Sequence, residues 1–177
     1  MDVPLRFQLR YDPVFLELGR RFRGEAWGRP TGVSAHAAVA RGEQRRELVV
    51  FLRLLFGRPD SAIVNDFGTF EQFVFFYLPR YAMQLTLSRL PPEGYGNRDV
   101  AVVGSVAFER GLLEFRWGAE RLLSFTSDGA AWTRIALPEG DGRRYREAES
   151  GGEARLVTDR DESEAELFAD SLPGAGR

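Results

Sequence analysis

GSVAFERGLLEFRWGAERLLSFTSDGAAWTRI, residues 104–135, alternates apolar and polar side chains between short turn signals. A period of two places successive side chains on opposite faces of a strand. Arg110-Gly111, Gly118-Ala119-Glu120 and Asp128-Gly129 are spaced as hairpin connections, and Asp-Gly tolerates the positive φ that tight hairpins need. Strands are therefore expected at 99–109, 112–117, 121–127 and 130–137. With Arg110-Gly111 as a two-residue turn, Phe108 pairs with Leu113, Val106 with Phe115 and Gly104 with Trp117. The next turns pair Phe115 with Leu123, Leu113 with Phe125 and Phe125 with Trp132. A slip of one residue carries a strand's whole set to the opposite face. All three registers put Phe108, Phe115, Trp117, Phe125 and Trp132 on one side, so an antiparallel meander with one aromatic, core-facing surface is predicted. The other surface mixes Ser105, Ser124, Thr126 and Thr133 with the charges and aliphatics discussed below.

Upstream, residues 4–11 alternate Leu5, Phe7, Leu9 and Tyr11 with Arg6, Gln8 and Arg10, which predicts a half-buried strand. Asp12-Pro13 is an N-cap followed by a first-turn proline, and Val14, Phe15, Leu18 and Phe22 give a helix that fades near Gly24. Residues 25–42 are rich in Gly and Ala, with a possible strand at Val33–Val39. A second helix covers 43–56, stopped by Gly57 and Pro59. Its apolar positions run round most of its circumference, the mark of a buried helix or of a strand. Thr69 and Gln72 resemble a capping box opening a short aromatic helix up to Pro79. Residues 81–90 alternate again, with Met83, Leu85 and Leu87 on one side, and 91–97 form a loop. After Pro138 the chain turns Gly-, Glu- and Arg-rich. Residues 153–158 are a candidate edge strand, and 161–172 a short acidic helix with Leu167 and Phe168 as its docking face.

The predicted fold is α+β: an antiparallel meander sheet of five to seven strands packed on two or three helices from the N-terminal half. Residues 1–138 form one domain and 139–177 an acidic, partly flexible tail. The first segment holds 18 Arg and 15 acids and the second 6 Arg and 11 acids. Neither carries the concentrated basic stripe of a nucleic-acid binder. No apolar run is long enough to span a bilayer and no secretory signal is present, so a cytoplasmic location is expected.

Composition narrows the chemistry. There is no cysteine, one histidine (His36) and no lysine; all 24 basic residues are arginine. Arginine stays protonated and clamps anions but does not serve as a tunable base. Lysine-dependent phosphate loops, thiol nucleophiles and cysteine-ligated metals and the two-histidine zinc helix are excluded. His36 lies among alanines and lacks an evident nucleophile and orienting acid. Asn65-Asp66 reads as a helix-entry turn. Glu109 and Glu114 fall on one predicted face, yet Arg110 and Arg116 beside them point to surface pairing rather than a glycosidase pair. The acids of 159–166 read as solvated, because the calcium-loop spacing is absent. No metal and no cofactor are expected.

These absences lead to a non-catalytic protein-binding module, an adaptor, inhibitor or immunity-type protein. Glu109, Leu112, Glu114, Arg116, Leu122 and Ile135 on the outer sheet face would contact its protein partner. The alternative is a hydrophobic small-ligand-binding or hydrolase domain with a pocket between sheet and helices, which the 14 phenylalanines would suit. A third reading is weak nucleic-acid binding through Arg20, Arg21, Arg23 and Arg29 with Trp27.

Overall fold

The computed structural model describes residues 5–39, 42–88, 100–137 and 159–174. Among the described residues four helices, α1 (Leu5–Arg10), α2 (Pro13–Arg23), α3 (Gly42–Phe56) and α4 (Asp159–Ser171), lie on one side of an eight-stranded sheet. Its strands are β1 (Pro30–Val39), β2 (Ser61–Asp66), β3 (Phe70–Tyr77), β4 (Tyr81–Ser88), β5 (Val100–Phe108), β6 (Gly111–Trp117), β7 (Leu122–Thr126) and β8 (Thr133–Arg134). Their spatial order is β2-β3-β4-β1-β5-β6-β7-β8. Every pairing is antiparallel except β1 with β4. The α+β expectation holds, with eight strands rather than five to seven and with one parallel pair. That pair follows from connectivity: α3, β2 and β3 carry the chain over the sheet before β4 returns beside β1.

Helix α2 begins as its sequence dictates. The Asp12 carboxylate accepts the Val14 amide at 3.0 Å, satisfying a donor that the helix leaves orphaned. Its other oxygen receives Arg121 Nε at 2.8 Å, tying the cap to the start of β7. Helix α3 is apolar almost all round because it is enclosed: Leu48, Val49, Val50, Phe51, Leu52 and Phe56 are all buried between the sheet, α1, α2 and α4. The Phe15 ring of α2 meets Phe51 edge-on at 4.8 Å and Phe115 of β6 at 6.1 Å. Phe73 and Phe115 have no solvent exposure, and each such ring contributes about 1.5–3 kcal/mol through burial.

Three sequence expectations fail for physical reasons. Residues 5–10 form a helix, not a strand. Leu5 and Leu9, both buried, are four apart, a spacing that satisfies either period. Residues 70–77 form strand β3, not a helix. Phe73, Phe75 and Tyr77 are buried while the residues between them are partly exposed, so the period is two, as aromatic and β-branched residues favour. Asn65 and Asp66 end β2 instead of opening a helix. The Asp66 carboxylate accepts the amide of Gly68 at 2.8 Å, and Gly68 sits at φ +86 in the β2–β3 hairpin.

Registers divide the same way. The β6–β7 register is as predicted, with Leu113 opposite Phe125 and Phe115 opposite Leu123. The β5–β6 hairpin is shifted by two: Phe108 faces Gly111 and Gly104 faces Phe115. The turn is Glu109-Arg110, whose amides donate to the Arg29 and Trp27 carbonyls, and an even shift preserves the faces. The β7–β8 register is off by one, with Phe125 opposite Thr133. The Asp128 carboxylate accepts both the Ala130 and Ala131 amides, which widens the turn. Trp132 is thereby turned outward, 42% exposed. Ile135 donates its amide to the Leu123 carbonyl and packs against the core.

The helical segment expected near the end of the chain is α4. It docks through Ala165, Ala169 and Leu172, all buried. Phe168 reaches the Phe75 ring at 5.8 Å, whereas Leu167 points to solvent. The expected loop at 91–97 and strand at 153–158 lie outside the described residues. No described helix is long and apolar enough to cross a membrane.

Glu17 gives the fold a measurable acid dependence. It is buried and receives Arg20 at 2.6 Å and Arg21 at 2.6 Å. The Arg20 hydrogen bond holds its carboxyl below the ordinary 4.5, against the opposing effect of burial. A depressed folded-state value contributes stability that is full above the unfolded pKa and is lost as pH falls through the folded one. Glu17→Gln is therefore expected to unfold at lower urea than the parent at about pH 7, with the gap closing towards about pH 3. A gap that is constant with pH would contradict this.

Candidate functional site

The outer face of the sheet carries some, not all, of the residues singled out from the sequence. Arg116 lies between Val103 and Leu122, Glu114 between Ser105 and Ser124, and Leu112 between Ala107 and Thr126. Leu112, Glu114, Arg116 and Leu122 form one patch beside an open depression of about 530 Å³ that Glu114, Arg116, Trp117 and Glu120 help to line. Arg116 Nη1 stands 3.8 Å from Glu120. Glu109 and Ile135 do not belong to the patch. Glu109 sits in the β5–β6 turn, where its carboxylate accepts the Arg29 amide at 3.1 Å, so no Glu109–Glu114 acid pair forms. Ile135 faces the core because of the one-residue slip in β8.

His36 lies on the same outer face, on β1, with Nε2 2.9 Å from Ser88 Oγ on β4. Among the described residues no carboxylate is hydrogen-bonded to this pair, so the third member of an acid-oriented triad is missing. No described group of three or more His, Asp or Glu is placed to hold a metal.

On the helical side, charge is organised rather than solvated. Arg6 of α1 engages Glu47, Glu162 and Glu166. Arg46 forms a fork on Asp170 at 2.6 and 3.0 Å, which holds the Asp170 carboxyl below its usual range. Arg53 stands 3.8 Å from Glu164. The acids of α4 thus dock it onto α1 and α3, correcting their reading as a free acidic surface. The signal was present in the four-residue spacing of Glu162, Glu166 and Asp170, which puts them on one helical face.

A second cleft, of about 810 Å³, opens at the end of the sheet where α2 and α3 finish, β1 begins and the β3–β4 hairpin turns. Arg23, Arg29, Arg58 and Arg80 line it together with Glu109, Phe22, Phe56, Tyr77 and Tyr81. The Tyr77 and Tyr81 rings stack at 4.6 Å, and Phe22 meets Phe56 edge-on at 5.0 Å. Tyr81 donates its hydroxyl to the Phe56 carbonyl at 3.1 Å. Burial pushes both phenols up, so they stay un-ionised at neutral pH. The arginine cluster read from the sequence is divided: Arg20 and Arg21 turn to Glu17, while Arg23 and Arg29 enter this cleft. Arg58 and Arg80 went unremarked in the sequence because β3 and β4 were not recognised there as a hairpin.

Among the described residues, Phe15, Phe51, Phe73 and Phe115 pack between sheet and helices.

No family model matches the sequence, and no curated protein matches it. Solved structures share its fold. UDP-N-acetylglucosamine 3-dehydrogenase from Acidithiobacillus ferrooxidans is 12% identical with a TM-score of 0.64, over 90% of this chain and 56% of that one. Levoglucosan dehydrogenase is 13% identical with a TM-score of 0.65, over 96% and 63%. An oxidoreductase from Agrobacterium radiobacter, in complex with NAD+, L-tartaric acid and magnesium, is 8% identical with a TM-score of 0.66, over 93% and 60%. The chain thus spans less than two thirds of the proteins it matches. Its sheet and helices share their fold with part of each of these oxidoreductases.

At these identities the likeness is one of fold. It nevertheless overturns the expectation of a non-catalytic adaptor, inhibitor or immunity-type module, because that expectation rested on missing side-chain chemistry. Dehydrogenases leave the hard chemistry to a cofactor. A chain poor in nucleophiles is therefore not a non-catalytic one on that ground, and the whole described fold is one that dehydrogenases use. The small-ligand alternative fares better, with its pockets on the sheet's outer face and at its end.

Proposed function

We propose that this chain is the substrate-side domain of a nicotinamide-dependent dehydrogenase acting on a hydroxylated carbon of a sugar, sugar nucleotide or hydroxy acid. The observation that supports it is the fold likeness over 90–96% of the chain to enzymes with such substrates or ligands. The β1–α3 connection lacks the glycine-rich turn of a dinucleotide site. A pyrophosphate cradle needs a strand, closely spaced glycines and a helix N-terminus in succession, whereas the β1–α3 connection reads Val39-Ala40-Arg41-Gly42 with one glycine. In this reading the nicotinamide sits on a separate nucleotide-binding domain, in the cytoplasm, and the present domain binds and orients the substrate.

Thermal unfolding of the chain with a panel of neutral sugars, anhydrosugars, sugar nucleotides and hydroxy acids, and with NADH as a control, tests this. A ligand at about a hundredfold over its Kd stabilises by about 2.7 kcal/mol, which for a chain of this size raises Tm by about 5–10 °C. At least one panel member is expected to do so, and by more than NADH does. Silence across the panel, or no member exceeding NADH, would count against the proposal.

A further inference from the structure

We infer that the cleft at the end of the sheet is a binding site for a phosphorylated small molecule. The argument begins with a census of arginine partners. Among the described residues, Arg6, Arg20, Arg21, Arg45, Arg46, Arg53, Arg116 and Arg121 each pair with a carboxylate. Arg110 donates to the Glu25 carbonyl and Arg134 to the Arg121 carbonyl, and Arg10 lies over the Tyr11 ring. Arg23, Arg29, Arg58 and Arg80 are different: none of their guanidinium groups has a hydrogen bond or ion pair among the described residues. All four line one cleft.

They reach it from four separate elements. Arg23 closes α2, Arg29 precedes β1, Arg58 follows the end of α3, and Arg80 sits in the β3–β4 turn. Convergence of this kind is a property of the fold, not of a local basic run. Among the described residues Glu109 is the only carboxylate lining the cleft, and it is turned to the Arg29 amide. Four cations and one anion leave a surplus of three positive charges. The C-terminal ends of α2 and α3 each bring about half a negative charge, which lowers the effective surplus to about two. A phosphate dianion or a pyrophosphate neutralises that; a single carboxylate does not.

The chemistry of the walls agrees. Guanidinium forks match phosphate oxygens in pairs, so each arginine is able to give two parallel donors. Tyr77, Tyr81, Phe22 and Phe56 make an apolar backing that keeps the local dielectric low and strengthens those bonds. Burial lowers the Arg23 pKa from its ordinary value. The cleft's volume accommodates a sugar phosphate or a nucleotide.

Calorimetric titration of the chain with pyrophosphate tests the site, with inorganic phosphate and citrate as parallel arms. Saturable one-to-one binding of pyrophosphate is expected. Arg58→Gln and Arg80→Gln, both at exposed positions, are each expected to weaken it about tenfold or more. Arg20→Gln with Arg134→Gln, a loss of two charges outside the cleft lining to set beside the double Arg58→Gln/Arg80→Gln variant, is expected to leave it unchanged. The inference is overturned by absence of saturable binding, by equal weakening in the control pair, or by citrate binding as tightly as pyrophosphate. The inference is independent of the dehydrogenase reading, and the Arg58→Gln/Arg80→Gln variant separates them: a sugar or hydroxy acid whose thermal shift survives in it occupies a different site.

Discussion

Glu71→Ala is expected to cost about 3–5 kcal/mol of folding stability, because it leaves a buried cation without its counter-charge. Arg45 of α3 places Nε 2.8 Å and Nη2 3.1 Å from the two Glu71 oxygens of β3. The side chains are only 9% and 5% exposed. The guanidinium also lies 5.0 Å from the Phe73 ring centroid and donates to the Pro173 carbonyl at 2.7 Å. One side chain thereby joins α3, the sheet and the segment after α4. Breaking such a pair is far more damaging than replacing it whole, so Arg45→Met/Glu71→Leu is expected to recover much of the loss. Urea unfolding of the single and double variants gives the comparison. A Glu71→Ala variant within about 0.5 kcal/mol of the parent would show the pair to be dispensable.

The second large effect is at Gly104, where β5 passes closest to its neighbours. A Cβ there would collide with the Ser34 carbonyl oxygen of β1 and come within 2.5 Å of Phe115 Cζ. Gly104→Ala is expected to destabilise by about 3 kcal/mol or more, at the upper end of overpacking costs. Phe115→Ala, which removes the ring that covers this glycine, is expected to cost about 3–5 kcal/mol. Trimming the ring in Gly104→Ala/Phe115→Leu is expected to rescue little, since the Ser34 oxygen is backbone and cannot move aside. Full recovery in the double variant would show that the ring alone sets the constraint.

Gly104 also shows how far the sequence carried. A glycine under a ring was legible from the alternation of β5 and β6, and so was the face on which that ring lies. Which ring it is, Phe115 rather than Trp117, was decided by the Glu109-Arg110 turn, whose two amides are claimed by carbonyls some 80 residues earlier. At β8 the same kind of contest changed the outcome. The Asp128 carboxylate widened its turn by one residue, so Trp132 and Ile135 exchanged faces. Two of the six residues read as an outer surface patch, Glu109 and Ile135, were lost from it through these two turns.

What the sequence determined by itself is local. Asp12-Pro13 started α2, Gly57 and Pro59 marked the stop after α3, and the alternation of 81–88 and 104–126 defined strands with a single core face. Each depends on side chains a few residues apart, where period and capping act directly. Tertiary structure decided the rest. Phe70–Tyr77 has spacings that suit helix and strand alike, and the edges of β2 and β4 settled it by offering hydrogen-bond partners on both sides. Leu5–Arg10 became a helix because α3 and α4 supply the surface that Leu5 and Leu9 cover. Arg23, Arg29, Arg58 and Arg80 meet only because a crossover, a hairpin and two helix ends finish at the same end of the sheet. Charges so far apart in the chain acquire a common ligand from topology, which no local pattern encodes.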